Sequence, residues 1–316
     1  MKLATTIADL RGYTENWAEA VRAYEGTGFR YLDFDFYWTI YPGSPFLSDD
    51  WMRDVYDAAN EAAKLGFTFV QAHAPSYNAL NPSAVNPAAN EKTGPLALQR
   101  SIAACGELGI PNLVIHSVHS PELRYPDDRE RYFPAARAYY EALYPYMEKY
   151  NVNVLVENID QWNMGGRYYF RTGEEIRSFL DFCGHPLLHA CWDAGHANIE
   201  GLDQAAEILA LGDHLRAVHI QDNFGEHDDH LAPFMGTLDL DAVMQGLLGA
   251  GYKGYFTFEA TCMFSLGEAA FHRRSRLPSV TECYLPHTSL ELRRRAESLL
   301  YETGRYILTQ YQCFEE

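Results

Sequence analysis

What the chain lacks narrows it first. Its six cysteines (Cys105, Cys183, Cys191, Cys262, Cys283 and Cys313) form no Cys-x-x-Cys pair and no small-scaffold spacing, so they read as reduced thiols of a cytosolic protein. Positive charge is scarce: 25 Lys and Arg stand against 43 Asp and Glu, a net charge of −18. Such a surface repels phosphate backbones and anionic membranes unless a local basic patch overrides it, and no basic stripe is present. No apolar run approaches the length of a membrane span, and Met1–Thr6 starts a short strand without an apolar signal core. There is no Gly-rich phosphate loop after the first strand and no linker that divides the chain. The expectation is a soluble, cytoplasmic protein with neither a nucleic-acid nor a membrane partner.

What is present is ample core material, 47% hydrophobic residues in a chain of 316. Short β-rich runs recur at Leu3–Ile7, Tyr31–Phe36, Thr68–His73, Asn112–His116, Val152–Asn158, Leu188–Asp193, Arg216–Gln221 and Gly254–Glu259. Amphipathic stretches lie between them: Trp51–Lys64, Leu96–Leu108, Tyr132–Lys149, Glu174–Phe182 and Leu240–Ala250, with a final helix over Ser289–Thr309. Gly28, Gly66, Gly109 and Gly251 precede strands as left-handed helix caps. Strand and helix alternating eight times predict an α/β fold, a (β/α)8 TIM barrel. A single domain over 1–316 is expected, with a C-terminal helical tail after about 260.

The stretch Cys191–Glu200 ends an apolar strand abruptly in Asp193, Gly195 and His196. Two readings compete: Asp193 caps the next helix, or Asp193 and His196 supply oxygen and nitrogen to a metal. The neighbouring strand ends favour the second. They deliver His73, His116, Glu157 with Asn158, Asp193, His219 with Asp222, and Glu259, six in succession on the rim where barrels build their sites. Glu157, Asp193 and Glu259 would converge there, and carboxylates about 4 Å apart repel by roughly 4 kcal/mol per pair at an effective dielectric near 20. They share either protons or a cation. With imidazoles among them, a divalent ion (Mn, Mg, Co or Zn) is the simpler resolution.

Several segments carry a resemblance: Val156-Glu157-Asn158, Asp193-Ala194-Gly195-His196, His219-Ile220-Gln221-Asp222, Asp228–Pro233, Gly236–Asp239 and Phe258-Glu259-Ala260. From the second strand to Glu259 the chain resembles the xylose isomerase-like TIM-barrel superfamily, which holds sugar and sugar-phosphate isomerases and epimerases and endonuclease IV. The resemblance implies that Glu157, Asp193, His219 and Glu259 hold one catalytic metal and that His196 faces substrate. Its DNA-repair branch uses a three-metal set matching His73, His116, Glu157, Asp193, His196, His219, Asp228, His230 and Glu259. Thus His73, His116, His196, Asp228 and His230 stand as second-metal or substrate residues. The sequence departs where the family has Gly-Glu-Gly and this chain has Phe234-Met235-Gly236, losing one carboxylate and one glycine.

The expected chemistry is isomerisation or epimerisation of a sugar, sugar phosphate or cyclitol through an enediolate, with Glu157 and Glu259 exchanging the roles of base and acid. Alternatives are dehydration of a keto-cyclitol or dehydroshikimate-like acid, an endonuclease of the abasic-site type, and a non-catalytic sugar-binding protein. Trp38, Tyr41 and Trp162 are candidate walls for a sugar ring, and Arg167 and Arg171 candidate anion contacts. The group His272, Arg273, Arg274 and Arg276 reads as a solvated loop, or as a lid or subunit contact compatible with a homo-oligomer.

Overall fold

The computed structural model describes residues 1–41, 43–81, 92–124, 127–160, 169–263 and 288–316. Eight strands, β1 (Lys2–Thr6), β2 (Tyr31–Asp35), β3 (Thr68–His73), β4 (Asn112–His116), β5 (Asn153–Glu157), β6 (Leu188–Asp193), β7 (Leu215–Ile220) and β8 (Tyr255–Phe258), close into a barrel in chain order. Every neighbouring pair is parallel. Burial is nearly continuous along these strands, as in a sheet covered on both faces. Register shifts at Leu32/Asp33 and at Ala190/Cys191 re-aim the strand ends just below the rim.

The helices start and stop where local chemistry directs. Helix Gly173–Cys183 opens on a reciprocal capping box between Thr172 and Glu175 and closes on Gly184 in the left-handed region. Helices Met52–Leu65 and Thr93–Leu108 close on Gly66 and Gly109 in the same way. The continuous helix expected over Tyr132–Lys149 is instead two, Arg129–Glu141 and Tyr144–Tyr150, because Pro145 lacks the N–H that would continue the first and so starts the second. Gly28 is not a helix cap, since the first helix ends at Ala23. With φ +106°, it lets the Tyr301 ring approach to where a Cβ would lie 2.4 Å from the ring.

The last helix, Leu290–Gln310, lies against the outside of the barrel. A Cβ on Gly304 would lie 2.6 Å from Leu3 and 2.7 Å from Phe258, so the helix packs directly on β1 and β8. The main core fills the space between sheet and helices. A second cluster, Val114, Leu155, Cys191 and Ala217, packs apart from it. Each of these lies two residues upstream of His116, Glu157, Asp193 or His219, hence on the same face of its strand. Among the described residues no helix is long and apolar enough to cross a membrane. Residues 82–91, Trp162, Arg167, His272, Arg273, Arg274 and Arg276 lie outside the described residues.

Candidate metal centre

Parallel closure brings the strand ends onto one rim, and the nine rim residues fall into three adjoining groups. In the central one, donor atoms of Glu157, Asp193, His219 and Glu259 all lie within 4.8 Å of one another. His219 Nδ1 sits between two carboxylates, 2.6 Å from Glu157 Oε1 and 3.5 Å from Glu259 Oε2. Glu157, Asp193 and His219 are buried, while the Glu259 side chain is 16% exposed and so borders the mouth.

The second group is His73, His116 and Glu157. The two Nε2 atoms are 3.2 Å apart, and Glu157 Oε2 lies 3.3 Å from His116 and 3.6 Å from His73. The third is Asp228, whose Oδ2 is 3.0 Å from His230 Nε2 and 3.4 Å from His196 Nε2. Glu157 links the first two groups, and His230 links the third to Glu259, its Nδ1 lying 2.8 Å from the Glu259 carbonyl.

Asp193 takes the capping role and keeps one oxygen outside it. Its Oδ1 accepts the His196 N–H at 2.7 Å and caps helix Ala194–Ile199. Its Oδ2 is buried without any hydrogen-bond partner. Glu157 Oε2 is a second buried carboxylate oxygen without a hydrogen bond. Such orphaned oxygens are costly unless a cation or proton meets them. Three carboxylates and one imidazole nitrogen converging this way are a donor set that can hold one divalent ion.

The proton affinities carry the same message. Burial pushes the Asp193 carboxyl up to about 7, with Glu157 and Glu259 adding to it and His196 opposing. Burial also opposes ionisation of Glu157, but His219, His73 and His116 overcome it and hold that carboxyl well below its usual range. For His219 burial is outweighed by Cys191, Glu259 and Glu157, and its affinity rises well above the ordinary imidazole value. His196 rises likewise, because Asp193 and Asp228 outweigh burial. Burial, with His73, His196 and His219 beside it, outweighs Glu157 and takes His116 down to about 3.

The supports are built from neighbouring strands. Asn158 holds the Asp193 backbone from both sides, its Oδ1 accepting the Asp193 N–H at 2.6 Å and its Nδ2 donating to the Asp193 carbonyl at 2.8 Å. Asp222 organises the following loop by accepting the N–H groups of Asn223, Gly236 and Leu238 at 2.8, 2.8 and 2.9 Å. Both residues stand among the strand-end residues found in the sequence. Gln71 does not: its Nε2 donates to Asp33 Oδ2 at 2.6 Å and lies 3.1 Å from His219 Nε2, while its Oε1 accepts from Thr257 at 3.1 Å. The signal was a polar residue at the inward position two before His73.

Aromatic rings lie near the rim. Trp38 and Tyr41 stack on each other at 5.2 Å, whereas Tyr37 places its ring 5.6 Å from His73 and 5.9 Å from His116. Arg171 pairs with Glu200 at 3.3 Å, so that guanidinium is already engaged. Phe234 and Met235, standing in place of the carboxylate-bearing loop, are 64% and 52% exposed.

With the barrel and its rim described, the family follows. The xylose isomerase-like TIM barrel family description matches residues 21–271, and the chain belongs to that family. It is 28% identical over 188 residues to the uncharacterised protein y4fM of Sinorhizobium fredii, covering 58% of each chain. It is 37% identical over 67 residues to fructoselysine 3-epimerase of Escherichia coli O157:H7, 21% of this chain and 24% of that one. The chain thus spans little more than half the length of the first relative and about a quarter of the second. Among solved structures, D-psicose 3-epimerase from Clostridium cellulolyticum H10 with D-tagatose superposes with a TM-score of 0.70 at 18% identity. That match covers 98% of this chain and 99% of the other, a likeness of fold.

Proposed function

We propose that the chain is a divalent-metal-dependent sugar epimerase or isomerase, acting on a ketose-like substrate at the barrel mouth. The observation that carries this reading is the pair of carboxylates, Glu157 and Glu259, on either side of His219 Nδ1, beside the orphaned oxygen of Asp193. Relatives named as 3-epimerases of fructoselysine and of D-psicose support the substrate class. Glu157, Asp193, His219 and Glu259 would hold the ion. A divalent cation there supplies Lewis acidity, which makes a C–H beside a carbonyl easier to ionise.

The rest falls to the chain's own groups. One glutamate removes the proton from one face of the substrate carbon and the other returns one to the opposite face, each acting through a carboxylate oxygen not engaged elsewhere. Glu259, bordering the mouth, reaches substrate from the solvent side, and the buried Glu157 from the barrel side. His196, held by the Asn158 carbonyl at 2.9 Å from its Nδ1, presents Nε2 toward Asp228 and the substrate hydroxyls.

The test is incubation of a ketohexose and ketopentose panel with the Mn-loaded protein in deuterated water. An epimerase gives one inverted centre with one deuterium incorporated. Loss of water with ultraviolet absorbance would instead assign a dehydratase, and affinity without turnover a binding protein. A second reading, a phosphodiesterase of the abasic-site type, is favoured by one observation: the groups His73–His116–Glu157 and His196–Asp228–His230 offer donors for two more ions. Three Zn per chain by elemental analysis, with nicking of abasic duplex DNA, would select it; one ion per chain rejects it.

A further inference from the structure

The four central donors are not fastened alike. Glu157 and Asp193 end strands β5 and β6, and His219 lies within β7, whereas Glu259 falls one residue beyond the end of β8. The barrel ladder alone therefore does not fix it. Its N–H donates to the Ile220 carbonyl at 3.1 Å and its carbonyl faces His230 Nδ1, but the chain then leaves the barrel at Ala260.

At that exit sits a buried guanidinium from a distant part of the chain. Arg293, in the first turn of the last helix, is 0% exposed. Its Nη2 donates to the Ala260 carbonyl at 3.2 Å, and its Nη1 donates to the Met263 carbonyl. The same Nη2 meets Asp9 Oδ2 at 3.2 Å and Glu297 Oε1 at 2.7 Å. Asp9 belongs to the turn after β1, so one side chain joins β1, the β8 exit and the last helix. A buried cation persists only when paired, and the two carboxyls supply that pairing. Burial raises both carboxyls, Asp9 to about 6 despite Arg293.

We propose that Arg293 is a positioning residue for Glu259: by clamping the carbonyls of Ala260 and Met263 it holds the β8 exit, and makes the last helix part of the metal centre. This rests on the metal-centre reading above. A guanidinium suits the task because its two Nη groups reach both carbonyls while its charge pairs with the two carboxyls, which the single ammonium of a lysine cannot match.

The experiment uses the full chain with Mn2+ alone, titrated by calorimetry, and compares Arg293→Met with the charge-neutral triple variant Asp9→Asn, Arg293→Met, Glu297→Gln, which leaves no unpaired buried charge. Each is expected to bind Mn2+ about tenfold more weakly than the parent, as loss of a support behind a ligand does. In a Glu259→Gln background, removing Arg293 is expected to cost no further affinity. Equal losses in both backgrounds would mean a general structural effect and overturn the proposal. Hydrogen exchange gives a readout independent of metal: amides from Glu259 to Met263 should exchange faster in the triple variant while those of Asn153–Glu157 are unchanged. Undisturbed protection at Glu259–Met263 also overturns it. If the parent itself takes up no Mn2+, the metal reading fails and the exchange result alone decides the positioning role.

Discussion

Two halves of the barrel interior support the site in opposite ways. Under β4 to β7 the inward residues two before the rim are Val114, Leu155, Cys191 and Ala217, an apolar cluster. Under β2, β3 and β8 the equivalent places are Asp33, Gln71 and Thr257, a buried hydrogen-bonded set reaching His219. Above the apolar half, Glu157 and Asp193 each keep a buried oxygen with no hydrogen bond, as Asp33 Oδ1 does in the polar half. The polar half instead grips one imidazole and fixes its plane. For the proposed ion, one side would raise affinity by desolvating carboxylates and the other would set the geometry of the imidazole.

The comparison can be broken at several points. The largest effect is expected from Glu157→Gln, which removes a charge shared by two of the three rim groups. Turnover should fall by about 10²–10⁴-fold, and metal content with it, measured by steady-state kinetics and elemental analysis of one preparation. A Glu157→Gln protein with full metal and full turnover would sink the proposed mechanism. Next comes Leu155→Ala in the apolar half, expected to cost about 2–5 kcal/mol of stability in denaturant unfolding, because a packed interior collapses only partly around the void. Gln71→Leu in the polar half should cost less stability, about 1–3 kcal/mol for the donor and acceptor groups it abandons, yet weaken Mn2+ binding about tenfold. If Leu155→Ala weakened the metal more than Gln71→Leu did, the division of labour between the halves would be wrong.

A smaller effect separates the pH behaviour of the metal-free protein. Asp193 has a folded value near 7, above its ordinary 3.8, so its contribution favours folding fully below about 4 and is lost as pH rises through 7. Melting of the metal-free parent should therefore decline between those limits more than that of Asp193→Asn. Excess Mn2+ should remove the difference, since it binds the ionised form. A parent and variant with parallel profiles would show that Asp193 is not the group responsible.

Much of this was readable in advance, for reasons that also mark the limit. Strand ends at His73, His116, Glu157, Asp193, His219 and Glu259 could be found because a closed parallel barrel sends every C-terminal strand end to one rim, whatever the register. The place of the Tyr37 ring beside the imidazoles could not, because a single step along the chain beyond β2 reverses which ring faces them. Gln71 and Arg293 stayed hidden for a different reason. Their partners lie 148 positions away at His219 and 33 away at Ala260, brought close by barrel stagger and by docking of the last helix. Periodicity reports the face on which a residue lies but not its neighbour across the sheet. The helix break at Leu143 was within reach, since Pro145 marks it, and a periodic apolar pattern on both sides obscured it.

The double use of Asp193 has a kinetic consequence. One oxygen is tied to the first turn of helix Ala194–Ile199 and the other is left over, so the side chain has no rotamer to search when an ion arrives. The entropy of aiming that donor is spent when the helix folds. Uptake at this position is then paced by how fast a hydrated ion sheds its water, and an ion that exchanges water quickly, such as Mn2+, should load faster than slowly exchanging Mg2+ at equal concentration.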